Sequence, residues 1–183
     1  MRISVFDMFK IGIGPSSSHT LGPMNAAARF LAASRADGRS VSRIDVSLYG
    51  SLALTGIGHR TDLGVALGLA GVEAETATGD RIAEVEAAAY SKAGVAVDLA
   101  GAPKFSIPRD IAFEGHIVLP EHSNALAFVS RGANGESLLL RRYLSIGGGF
   151  VKPLDEPETG GDGPQVQMPF ETADALLALC AKQ

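Results

Sequence analysis

The period of the apolar residues changes near Pro103, and this change constrains the fold more than any other feature of the chain. Upstream, Met24, Ala27, Ala28, Leu31 and Ala32 recur at helical spacing, as do Ile82, Val85, Ala89 and Ala93. Downstream, the runs 105–107, 111–119, 126–131 and 138–144 are rich in apolar and β-branched residues, the composition of strands. Helices early and strands late give an α+β fold, with helices packed on a mostly antiparallel sheet. Helices are predicted from Gly22 or Pro23 to Ala36, over Thr61–Leu69, over Ile82–Ala93 and over Glu171–Lys182. Pro23 suits a first helical position and Asp37-Gly38 supplies a stop. One early strand should run from Ile44 to Tyr49, where Ile44, Val46 and Leu48 alternate with polar residues. Asn134-Gly135 predicts a hairpin between the last two runs. The opening run Ile3–Ile11 reads as a short strand or helix, and the passage Pro153–Pro164 as a loop.

A chain of 183 residues, 46% apolar and 20% charged, suits one domain over 1–183. A net charge of −4 argues against a nucleic-acid partner, whose contact surface should be basic. No apolar stretch approaches the roughly 18–20 residues of a membrane span. The opening MRISVFDMFKIG lacks the layout of a signal peptide, so a cytoplasmic location is expected. The single cysteine, Cys180, allows no internal disulfide and no four-thiolate zinc or iron–sulfur site, so no metal site is expected in this chain. Beside Leu176, Leu177 and Leu179 it is expected to be a small core residue.

Two Gly-rich loops could carry chemistry. In Pro15-Ser16-Ser17-Ser18-His19-Thr20, hydroxyls gather just before a helix, and Gly, Pro and Ser argue against a regular element from Gly12 to Pro23. Amides at a helix start attract anions, and the serine hydroxyls of Ser16, Ser17 and Ser18 add donors for a carboxylate or phosphate. A serine-rich cap without a ligand explains the same pattern. In Gly56-Ile57-Gly58-His59-Arg60-Thr61-Asp62 the glycines let the chain bring an imidazole close to a ligand, and imidazole is the usual side chain for proton abstraction near neutral pH. Asp62, at a helix start, is close enough in sequence to orient His59. A cap or a solvent contact is the alternative. Glu121-His122-Ser123-Asn124 suits a turn for purely local reasons, and His116, inside a strand pattern, reads as structural.

SVFDMFKIGIGPSSSHTLGPMNAA at 4–27, GHRTD at 58–62, HSN at 122–124, YLSIGGGFV at 143–151 and the MPFETADALLALC stretch together resemble the iron–sulfur-dependent bacterial L-serine dehydratases (L-serine ammonia-lyases). The resemblance runs over nearly the whole chain and covers the N-terminal β domain of that family. It implies conversion of L-serine to pyruvate and ammonia, with a [4Fe–4S] cluster whose ligands lie outside this chain in a cysteine-bearing α domain. The resemblance also implies a fold similar to the allosteric substrate-binding domain of phosphoglycerate dehydrogenases. Its SSSHT loop falls on Ser16, Ser17, Ser18, His19 and Thr20, which with Asp62 would bind substrate. Its G-H-x-T-D histidine falls on His59, the implied general base. His122 and Asn124 fall on positions linked to a regulatory serine site. Arg60 stands where Gly is expected, and Ser123 where Pro is expected.

The expected partners are L-serine, the α domain and a second copy of the chain in a homodimer. The competing reading is a stand-alone regulatory module that binds an amino acid or an anion without catalysis. A hydrolase built on a Ser16–Ser18 nucleophile with His19 is the weaker third, because no G-x-S-x-G elbow exists and adjacent residues rarely face each other as nucleophile and base must.

Overall fold

The computed structural model describes residues 9–99, 103–155, 168 and 170–181. Helix α1 (Gly22–Asp37) has Pro23 in its first turn and stops at Gly38, whose left-handed φ of 71° suits a residue without Cβ. Strand β1 (Arg43–Tyr49) follows, then the short helix α2 (Gly50–Leu54), α3 (Thr61–Leu69) and α4 (Gly79–Tyr90). Strands β2 (Val95–Ala96) and β3 (Lys104–Phe105) pair as a small antiparallel ribbon. After α5 (Ile107–Asp110) come β4 (Ile111–Glu114), β5 (Asn124–Arg131), β6 (Ser137–Ser145), β7 (Val151–Pro153) and α6 (Ala173–Cys180).

The main sheet has five strands in the order β4-β1-β5-β6-β7. Only β1 and β4 run parallel; the other three pairings are antiparallel, in keeping with the expected α+β class. Ile44, Val46 and Leu48 of β1 point into the core as their alternation requires. The hairpin between β5 and β6 turns at 132–136, where Gly135 takes a φ of 83° and the register slips at Ser130/Arg131. Asn134 keeps a negative φ, so this is a longer bulged turn rather than a two-residue one.

Helix α1 lies against the sheet through Phe30, which stacks on Phe128 at 5.0 Å, and Phe128 meets Tyr143 edge-on at 6.0 Å. Its other side packs on α3, so its buried residues are Met24, Ala26, Ala27, Phe30 and Leu31 rather than the predicted stripe with Ala28 and Ala32. Every residue of α3 is buried, because α1 covers one side and α4 another. A Cβ on Gly64 would sit 2.5 Å from the Thr20 carbonyl oxygen, so glycine there lets α3 touch the chain just before α1.

Several boundaries differ from the sequence reading. Ser17–Leu21 forms one π-helical turn that runs directly into α1, with the Thr20 and Leu21 amides both donating to the Ser16 carbonyl at 3.0 and 3.2 Å. The Ser16 hydroxyl caps the His19 amide at 3.1 Å, and this local bonding overrides the loop-forming composition. Helix α4 begins at Gly79, capped by Thr78, and ends before Ser91, three residues short of Ala93. The run 111–119 keeps a strand ladder only to Glu114, with Leu119 in an isolated bridge to His122; Gly115 and His116 form a turn closed by the Ile117 amide on the Glu114 carbonyl at 3.0 Å. His116 is therefore a turn residue, its side chain 77% exposed, and not a strand residue. Ile107 opens α5 instead of extending β3, because Pro108 favours a helix start. Cys180 is exposed on α6 and is not a core residue. Residues 3–8 of the opening run and 156–164 of the acidic passage lie outside the described residues. Among the described residues no helix is long and apolar enough to cross a membrane.

Candidate active site

The two Gly-rich loops come together although 40 residues separate their histidines. The contact between Thr20 and Gly64 draws α3 against the π turn, and the Thr20 hydroxyl donates to the His59 carbonyl at 2.6 Å. The imidazoles of His19 and His59 then face each other, centroids 4.8 Å apart and planes tilted by 38°.

Each ring is held from its own side. Nδ1 of His59 lies 3.0 Å from the Thr55 carbonyl oxygen. A carbonyl oxygen only accepts, so this bond places the proton on Nδ1 and leaves Nε2 as the basic nitrogen. Thr55, not Asp62, orients His59. The Asp62 carboxylate is buried and engaged elsewhere: Oδ1 accepts from the Leu63 amide at 2.9 Å and Oδ2 from the Tyr90 hydroxyl at 2.7 Å. Burial, and then the bond to Asp62, hold the Tyr90 phenol well above its ordinary pKa, so Tyr90 remains the donor.

His19 is engaged at both nitrogens, Nδ1 with the Ser18 hydroxyl at 2.9 Å and Nε2 with the Ser51 hydroxyl at 3.0 Å. Ser18 and His19 thus do meet although adjacent, through the Ser18 hydroxyl and the Nδ1 edge of the ring. The second nitrogen faces a serine and not a carboxylate, so the orienting acid of a hydrolytic triad is missing there. Burial, and then the neighbouring His59, lower the pKa of His19 below 6.5, so the ring favours its neutral form. Ser17 is exposed beside them.

Arg60 follows His59 in a left-handed conformation, φ 55° and ψ 38°, alone among the described non-glycine residues. This geometry accounts for the expectation of glycine at that position. The Arg60 guanidinium pairs with Glu86 on α4.

The turn carrying His122 and Asn124 lies against the same region. The Asn124 amide donates to His122 Nδ1 at 2.9 Å, which closes the turn. The Ser51 amide donates to the Ser123 carbonyl at 2.9 Å. Ser145, at the end of β6, donates its hydroxyl to the Ser18 carbonyl at 2.6 Å. Ser51, Thr55 and Ser145 were not singled out from the sequence as site residues. The strand-Gly-Ser-helix step at Tyr49-Gly50-Ser51 was the available signal for the first, and the YLSIGGGFV motif for the last.

An iron–sulfur cluster needs several thiolates, and this chain has one, exposed on α6. The residues present do not fit such a group. Among the described residues no cluster of three His, Cys, Asp or Glu side chains could hold a metal ion.

An α+β domain that pairs two histidines from Gly-rich loops with a serine-lined π turn is a defined arrangement, and comparison with known sequences identifies its class. A profile of the serine dehydratase beta chain matches residues 4–156. The chain is 41% identical to the L-serine dehydratase of Mycobacterium tuberculosis (strain CDC 1551 / Oshkosh) over 187 positions. It is 40% identical to that of Streptomyces coelicolor and 40% identical to L-serine dehydratase 1 of Escherichia coli K12. These alignments take in 97–98% of this chain but 40% of each relative. The chain belongs to the serine dehydratase beta chain family.

Proposed function

We propose that this chain supplies the substrate-binding loop and the general base of an L-serine dehydratase, working with a cysteine-bearing α domain. The observation that carries the reading is the His19–His59 pair at 4.8 Å, assembled from the two loops that hold the family motifs.

The substrate carboxylate binds at the π turn, where Ser16, Ser17 and Ser18 offer hydroxyls and the amino end of the helix that begins there and continues into α1 offers partial positive charge. A largely neutral His19, held at both ring nitrogens by Ser18 and Ser51, fixes the Ser18 hydroxyl beside the carboxylate without competing as a fixed cation. His59 takes the α-proton through Nε2, since its Nδ1 proton is committed to Thr55. Asp62 acts one step behind, by fixing the start of α3 through Tyr90 and Leu63. A [4Fe–4S] cluster on the α domain supplies Lewis acidity toward the substrate hydroxyl when bound; no step of it falls on this chain. Loss of the α-proton and of the β-hydroxyl, which departs as water, gives aminoacrylate, and this tautomerises and hydrolyses to pyruvate and ammonia. Serine hydroxyls are poor bases at pH 7, so the loop binds and does not cleave bonds. His122 and Asn124 belong to a regulatory serine site, cytoplasmic location and a homodimer completing the proposal.

The test is reconstitution. The 183-residue chain mixed with a separately expressed α domain under anaerobic conditions, with iron and sulfide, should give serine-dependent pyruvate, and the chain alone should give neither cluster nor pyruvate. Serine binding without turnover in the reconstituted mixture would point to the regulatory-module reading instead.

A further inference from the structure

Asn124, Ser145, Ser18, His19, Ser51 and Ser123 form a closed hydrogen-bonded circuit. The Ser51 amide donates to the Ser123 carbonyl at 2.9 Å, and the Ser51 hydroxyl meets His19 Nε2 at 3.0 Å. The other His19 nitrogen meets Ser18 at 2.9 Å, whose carbonyl accepts from the Ser145 hydroxyl at 2.6 Å. The Ser145 carbonyl accepts a long bond of 3.5 Å from the Asn124 side-chain amide, next in the chain to Ser123. Packing is tight at both crossings. A Cβ on Gly50 would lie 2.6 Å from the Ser123 carbonyl oxygen, and one on Gly22 would lie 2.0 Å from the Ser145 hydroxyl.

We infer that Ser51 is a positioning residue for His19, and that it couples the orientation of that imidazole to the turn 122–124. The partners of the Ser51 amide and hydroxyl belong to the turn 122–124 and the π turn, yet Ser51 lies in neither. Its amide is fixed by the turn and its hydroxyl by the ring, so a shift of the turn is carried to His19 through one residue. The turn and the π turn are therefore two edges of one polar assembly rather than separate sites. The consequence for substrate rests on the dehydratase reading above; the consequence for the His19 ring does not.

Nitrogen-15 NMR of the His19 ring in the 183-residue chain tests this directly. Ser51→Ala should shift the Nε2 resonance of His19, the nitrogen that loses its partner, more than the Nδ1 resonance. Ser51→Thr, which keeps the hydroxyl, should restore the parent spectrum, and the exposed His116 serves as an unchanged internal reference. Ser145→Ala should move the same His19 signals, and its effect should not add to that of Ser51→Ala. If Ser51→Ala does not fold, the pair Ser51→Thr and Ser51→Val carries the same comparison. Unchanged His19 signals in a folded variant lacking the hydroxyl would overturn the proposal, as would a change that Ser51→Thr fails to restore. In the reconstituted enzyme the loss should weaken serine binding about two- to tenfold, the worth of one neutral hydrogen bond. Absence of any turnover in the parent would sink the dehydratase reading while leaving the NMR result decisive for Ser51.

Discussion

The imidazoles of His19 and His59 stand 4.8 Å apart at the meeting of two loops, and burial, followed by the neighbouring His59, disfavours a charge on His19. Because folding lowers the His19 pKa, the unfolded chain takes up this proton first as pH falls. The unfolded state then binds more protons than the native one, so stability falls as pH drops below about 6.5 and the loss is complete below the lowered native pKa. His19→Gln should remove this part of the slope. Urea denaturation of the parent and the variant at several pH values between 5 and 7.5 checks it, and identical slopes would count against a neutral His19.

The three serines should separate by what else each one holds. Ser17 is exposed beside the site, so Ser17→Ala should raise KM for serine with kcat and thermal stability close to the parent's. Ser16→Ala also removes the cap on the His19 amide and should cost about 0.5–2 kcal/mol of stability. Ser18→Ala frees one nitrogen of His19 and should alter its titration as well. Losing a hydroxyl bond to a charged carboxylate is worth ~1.5–3 kcal/mol, a tenfold to hundredfold rise in KM.

Arg60 carries a backbone conformation that costs an L-residue about 1–2 kcal/mol. Its pairing with Glu86 joins two side chains that are each well exposed, and such a pair contributes at most about 1 kcal/mol. Arg60→Gly loses the pair but relieves the strain, whereas Arg60→Ala loses the pair and keeps the strain. The glycine variant should be the more stable of the two by about 1 kcal/mol, read from denaturation midpoints. Equal midpoints would show that the left-handed geometry is not strained here.

The sequence reading located α1, α3, β1 and the hairpin because each is declared locally, by Pro23 and Gly38, by Thr61-Asp62, by the alternation of Ile44, Val46 and Leu48, and by Asn134-Gly135. It missed Phe30 as the anchor on Phe128 because α1 is covered on two sides, which widens the buried stripe beyond one helical face. The role of Asp62 was misread for a similar reason. Its partner, Tyr90, lies 28 residues away on a different helix, and no local spacing announces such a bond. Proximity in sequence made His59 look like that partner, while the Thr55 carbonyl was invisible because backbone acceptors carry no residue signature. The meeting of His19 with His59 depended on the packing of Gly64 against Thr20, a tertiary fact.

Tyr90→Phe tests Asp62 as a structural group. The variant leaves a buried carboxylate short of one donor, so it should cost about 1–3 kcal/mol of stability. KM for serine should move little, because the start of α3 is still held by the helix itself. A large rise in KM at unchanged stability would place Asp62 in contact with substrate.

The central claim is that His59 takes the α-proton, and the most direct measurement is the separate effect of His59→Asn on kcat and KM in the reconstituted enzyme. Removal of a general base should depress kcat by ~10²–10⁴ with KM for serine within a few-fold of the parent's. His19→Asn, measured alongside, should act chiefly on KM. A His59→Asn enzyme that retains near-parental kcat, at matched cluster content and thermal stability, would contradict the assignment.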